Sequence, residues 1–141
     1  MAGGYIQCGD FSGDDKSGSA ISGVLDALPE CVPEEDRDEF VESILDPLRL
    51  SMEECDDHIL IEPDVASRIA DAVDRLYDRY GSELGNPEPS NAPQMDEERG
   101  LDATNAKWGD GIGWRYYCLH DLRQALRISI ESQEPVAIHF D

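Results

Sequence analysis

Residues 63–81 read PDVASRIADAVDRLYDRYG, and within them Val65, Ile69, Val73, Leu76 and Tyr80 recur at three- and four-residue intervals. That period lays the apolar side chains along one side of an α-helix and leaves the polar ones on the other. Pro63 suits the first turn, where a missing N–H costs nothing, and Gly81 is the expected stop. Asp64 precedes Arg68 and Asp71 precedes Arg75, each at i,i+4, the order in which a carboxylate and a guanidinium attract across one turn. The polar face of this helix is therefore expected to neutralise itself. A helix with one long apolar side needs partners to bury it, and the flanking sequence supplies them.

Upstream, Glu34 to Asp46 repeats the pattern with Phe40, Val41, Ile44 and Leu45 on one face. Pro47 disfavours helical geometry at Asp46, so Leu48 and Leu50 are expected beyond a kink or in a new turn. Ile21, Val24, Leu25 and Leu28 predict a helix over residues 17–28, stopped by Pro29 and Pro33. Downstream, Leu119, Leu122, Leu126 and Ile130 predict a fourth helix, which Pro135 ends. His58 to Ile61 reads as a short buried strand, and Val136, Ile138 and Phe140 alternate with Ala137 and His139 as a terminal one. Residues 1–16 are rich in Gly and Asp and predict an irregular or turn-rich start that includes a short strand over Tyr5 to Cys8. Residues 81–113 hold six glycines and three prolines and read as a long loop, a candidate for function or mobility. The fold class that results is α+β, about four helices with a small sheet of two or three short strands. A chain of 141 residues suits a single compact domain over 1–141.

The composition is dominated by charge: 32 acidic against 11 basic side chains, a formal charge of -21. Nucleic acid, anionic membrane and acidic substrates all meet like charge on approach and are poor partners. A basic protein is the natural one. No apolar run approaches the roughly 20 residues that span a bilayer. The chain opens without a basic, apolar leader, so Cys8, Cys31, Cys55 and Cys118 are expected as reduced thiols of a soluble cytoplasmic protein.

The charge is also uneven. From Glu30 to Asp57 twelve acids face only Arg37 and Arg49, giving -10 in 28 residues. Glu35, Glu39, Glu42 and Asp46 recur at helical spacing as a row of negative points, with Glu53, Glu54, Asp56 and Asp57 as a second cluster. A protein built to grip phosphates accepts such a row in place of a nucleic-acid backbone, because its Lys and Arg read position and charge. The bland alternative is a solvated helix face, the usual fate of charge runs. A further rival is salt adaptation: two lysines against nine arginines, with 18 of the 32 acids Asp, suits a proteome in concentrated salt.

Other constellations carry less. Cys55 and His58 have C-x-x-H spacing, and with Cys118 and His120 would make a zinc tetrad only if distant segments met. The bland reading is that isolated cysteines are small buried hydrophobes. Trp108 and Trp114 flank a Gly-rich stretch before Arg115, Tyr116 and Tyr117, either as interface anchors or, more simply, as core that pins the loop. Gly109, Gly111 and Gly113 lack dinucleotide-loop spacing, Gly9 to Ser17 puts Asp14 and Asp15 where phosphates would be repelled, and Asp121 beside His120 makes no triad. The calcium-loop alternation of Asp10, Ser12 and Asp14 fails at Asp15 and Ile21. The expectation is a non-enzymatic protein without cofactor that neutralises a basic toxin, nuclease or other nucleic-acid-binding protein. Glu35, Glu39, Glu42, Asp46 and the second acidic cluster would be its contact residues, with Trp108 or Trp114 as an apolar anchor. A salt-adapted domain of unrelated function and a small zinc protein are the alternatives.

Overall fold

A computed structural model describes residues 3–13, 16–48, 50, 58–94 and 112–140. Alternation of apolar residues becomes a sheet whose central pair joins the two ends of the chain: β1 (Gly3–Cys8) and β5 (Val136–Phe140) run antiparallel, with Ile6 opposite Ile138. β4 (His58–Ile61) pairs on the far side of β5, and the two-residue β2 (Phe11–Ser12) on the far side of β1, giving the antiparallel order β2-β1-β5-β4. The equally short β3 (Lys16–Ser17) pairs with the start of β1. The register puts Ile6, Ile138 and Ile59 in one row, all at most 2% exposed, beside Ile61 and Val136. Each such side chain contributes roughly 1.5–3 kcal/mol relative to standing in water.

The helices close that face. α1 (Gly18–Ala27) buries Ile21, Val24 and Leu25, and passes into a 3-10 turn over Leu28–Cys31 in which Pro29 takes an early position needing no N–H. α2 (Glu34–Phe40) buries Phe40 and widens into a π turn over Val41–Leu45 that buries Ile44 and Leu45. α3 (Pro63–Leu84) and α4 (Ile112–Ser132) form the most extensive helix pair, and α1 and α4 lie against β1. The molecule is thus an α+β domain with an antiparallel sheet packed against helices. No helix among the described residues is long and apolar enough to cross a membrane.

Four local expectations change. Asp46 is helical, with φ -61° and ψ -44°, and the helix runs on through Pro47 to Leu48. The Asp46 N–H reaches back five residues to the Val41 carbonyl, so the turn ahead of the proline ring is widened rather than broken. Gly81 does not stop α3: it is buried, with Tyr116 and Asn86 only 3.0 Å from where its Cβ would stand, and the helix ends a turn later at Gly85, left-handed at φ 83°. The strand expected over Tyr5 to Cys8 forms but starts earlier, at Gly3, and turns back as a hairpin whose two-residue turn is led by Gly9 at φ 57°. Ile130 is 38% exposed; at the end of α4 the buried position is Ser129 instead. α4 starts at Ile112, and residues 95–111 of the expected loop, with Trp108, lie outside the described residues.

Candidate functional site

The expected acidic row stands on α2 and its π extension, where burial of Phe40, Ile44 and Leu45 turns the other side outward. Glu35, Glu39, Glu42 and Asp46 are all exposed, as are Glu34, Asp36 and Asp38. The three acids of the first turn, Glu34, Glu35 and Asp36, stand where the helix N-terminus favours negative charge. Arg37, the one base on this helix, is occupied elsewhere. Its Nε donates to the Pro29 carbonyl at 2.8 Å and its Nη2 to that of Val32 at 3.3 Å, tying α2 to the 3-10 turn.

Glu39 differs from its neighbours. Arg68 of α3 donates from Nη2 to both of its carboxylate oxygens, at 2.7 and 2.8 Å. That hydrogen bond, with a second from Ser43, holds the Glu39 carboxyl below its ordinary value. The sequence assigned Arg68 to Asp64 on its own helix; it bridges to α2 instead, because α2 lies on that side of α3. The other expected pair forms, with Arg75 Nε 3.1 Å from Asp71 Oδ2. Among the described residues no cation pairs with Glu35, Glu42 or Asp46. The second cluster, Glu53, Glu54, Asp56 and Asp57, lies outside the described residues, as does Cys55.

A groove of about 310 Å³ runs between α2 and α3 over buried Cys31, Phe40 and Ala72. Its rim is largely self-neutralised, since Glu39 is held by Arg68 and Asp71 by Arg75, which leaves Asp36. Burial pushes the Cys31 thiol up, the wrong direction for a nucleophile. On the opposite side of α3, Tyr77 stacks on Tyr116 at 4.5 Å, and the Arg123 guanidinium sits 4.3 Å above Tyr77 while its Nε donates to Asp74 at 2.8 Å. Burial, then the hydrogen bond with Tyr77, pushes the Tyr116 phenol up to about 12. Arg115 donates to the Tyr80 hydroxyl at 3.2 Å. Among the described residues Arg37, Arg68, Arg75, Arg115 and Arg123 are thus engaged with backbone, tyrosines and three carboxylates, whereas Arg79 and Arg127 are exposed.

Trp114 is 9% exposed and belongs to the core, so its indole is not presented to a partner. Cys118 is buried under the inner face of the sheet beside Ile6 and Ile138. His58 projects from the outer face, with its ring 6.2 Å from that of His139, and His120 is 2.9 Å from Gln124 on α4. Among the described residues no group of three or more His, Cys, Asp or Glu is arranged to hold a metal ion. Two features were not legible in the sequence. One is buried Asp121, whose carboxylate fills the space where a Cβ on Gly13 would stand; the other is the outer sheet row of Tyr5, His139 and His58. Both arise from pairing across more than 50 residues, which no local period records. No family model matches the chain, and neither the curated proteins nor the solved structures compared with it include a match.

Proposed function

We propose that this protein is a non-enzymatic acidic binder that occludes a basic protein partner, such as a toxin or an enzyme acting on nucleic acid. One observation supports this most: on the α2 flank Glu35, Glu42 and Asp46 are exposed and have no cationic partner among the described residues, while Arg37 beside them is turned onto backbone carbonyls. Such a flank lowers the free energy of encounter with Lys and Arg and speeds association, an effect that salt screens. Because Arg68 already holds Glu39, the residues to test are Glu35 and Glu42. With a basic nuclease as the probe, Glu35→Lys with Glu42→Lys is expected to cut the association rate by about tenfold or more at low salt and to leave the fold intact. Association indifferent to both that reversal and ionic strength overturns the reading.

Salt adaptation is supported by a different observation. Asp64, Asp71, Asp74 and Asp78 along α3 are exposed too, so acid is not confined to one flank. In that reading the carboxylates serve hydration in concentrated salt and face no particular partner.

A further inference from the structure

The outer face of the sheet is laid out differently from the rest of this acidic molecule. Tyr5, His139 and His58 stand in one row across β1, β5 and β4, and Gln7, Ala137 and Leu60 in the next. No carboxylate is among them, although acids make up 32 of the 141 residues. The first row is aromatic: the Tyr5 and His139 rings stack at 4.8 Å, and Gln7 Oε1 lies 3.1 Å from His139 Nε2. Leu60 is 42% exposed, one of the few large apolar side chains left in water, and the other five are half-buried. The inner rows, in contrast, are sealed by helices. Because β1 and β4 run the same way on either side of β5, Asp10 after β1, Glu134 before β5 and Glu62 after β4 fall at the same end of the sheet, and all three are exposed. An aromatic centre without carboxylates beside an acidic margin is the anatomy of a protein-binding surface, since only the centre can be dried without stranding a carboxylate.

We propose that this face is a docking surface for a basic protein, with an apolar segment of the partner over Leu60, Ala137 and the Tyr5–His139 stack and its Lys or Arg residues against Asp10, Glu62 and Glu134. The inference rests on the basic-partner reading above and gives that partner a second contact face besides the α2 flank. Area decides between this occupant and a second copy of the chain. Strands about 4.8 Å apart and four or five residues long give a planar face of roughly 250 Å², well short of the roughly 800 Å² per side of a stable interface. Any stable partner must therefore extend past the sheet onto the flanking acids. A second copy brings carboxylates against carboxylates there, and a basic partner brings their counter-charges.

The test uses the whole chain and two synthetic peptides, each with the same alternating Leu and Ser core, one ending in three lysines and the other in three glutamates. Amide chemical shifts of the labelled protein are followed during titration. The lysine peptide is expected to perturb β1, β4 and β5, and Leu60→Glu to weaken it tenfold or more. Leu60→Ser gives a smaller loss, and Glu35→Lys with Glu42→Lys leaves the sheet perturbations in place. Leu60 is 42% exposed, so both variants are expected to fold, which the dispersion of their amide spectra checks. Perturbations confined to α2 overturn this inference and leave the basic-partner reading standing. No binding of the lysine peptide anywhere overturns both. Equal binding of the glutamate peptide at the sheet, or sedimentation showing a dimer that Leu60→Glu dissociates, overturns the proposed occupant.

Discussion

A guanidinium set between two helices can serve either, and Arg68 of α3 serves α2. The consequence is a pH dependence with a definite sign. Glu39 is held below its ordinary value by the Arg68 hydrogen bond, so the pair stabilises the fold at pH values above the unfolded carboxyl's, and the contribution is lost as pH falls through the depressed folded value. Wild type is therefore expected to exceed Arg68→Gln in denaturation midpoint at pH 7, with the two converging as the pH is lowered toward 2. A gap that stays constant to pH 2 would show that the pair is not what Arg68 contributes. Both side chains are about half exposed, so the effect is small. Spacing named Asp64 and Asp71 as partners for Arg68 and Arg75 with equal warrant, and only the second pair formed. Sequence tells which charges lie one turn away on the same helix; it does not tell which neighbouring helix comes to lie on that side.

At the level of elements, periodicity carried most of the fold. The stripes of α1, α3 and α4 and the alternation of β5 turned into buried faces because burying apolar area is what fixes those segments. The end points were less legible, since one residue type serves two purposes. Gly81 is small because Tyr116 crosses α3 there, whereas Gly85 is glycine because the chain turns left-handed with nothing near its would-be Cβ. Gly85→Ala is accordingly expected to cost about 1–2 kcal/mol from backbone strain alone. Gln133 ends α4 at φ 61° under the same strain, so Gln133→Gly should move stability the opposite way. Urea midpoints of the two variants check this, and equal signs would refute it. The glycine-rich first strand was the hardest to read because its pairing partner is the last one, and glycine weakens every local cue for a strand. The acidic flank of α2 was legible in full as exposure, but its one neutralised member was not.

For the whole molecule, -21 charges on 141 residues oppose compaction unless ions screen them. The screening length shrinks from about 30 Å at 0.01 M salt to about 8 Å at 0.15 M, so most of the relief comes early. The melting temperature in potassium chloride is expected to rise steeply below about 0.2 M and then level off. A protein that folds only at molar salt would favour adaptation over partner binding, and a flat response at low salt would mean that repulsion is already balanced.

The central pair of the sheet also imposes a timetable. Gln7 and His139 meet across 132 residues, and β5 stands between β1 and β4, so β4 has no strand beside it, and β1 none on that side, until residues 136–140 are made. At roughly 5–20 residues per second, β1 waits on the order of ten seconds after leaving the ribosome. During that wait Ile6 has no Ile138 to cover it. A chain cut before Val136 would lack the strand that divides the sheet, and with it the row that joins its two halves.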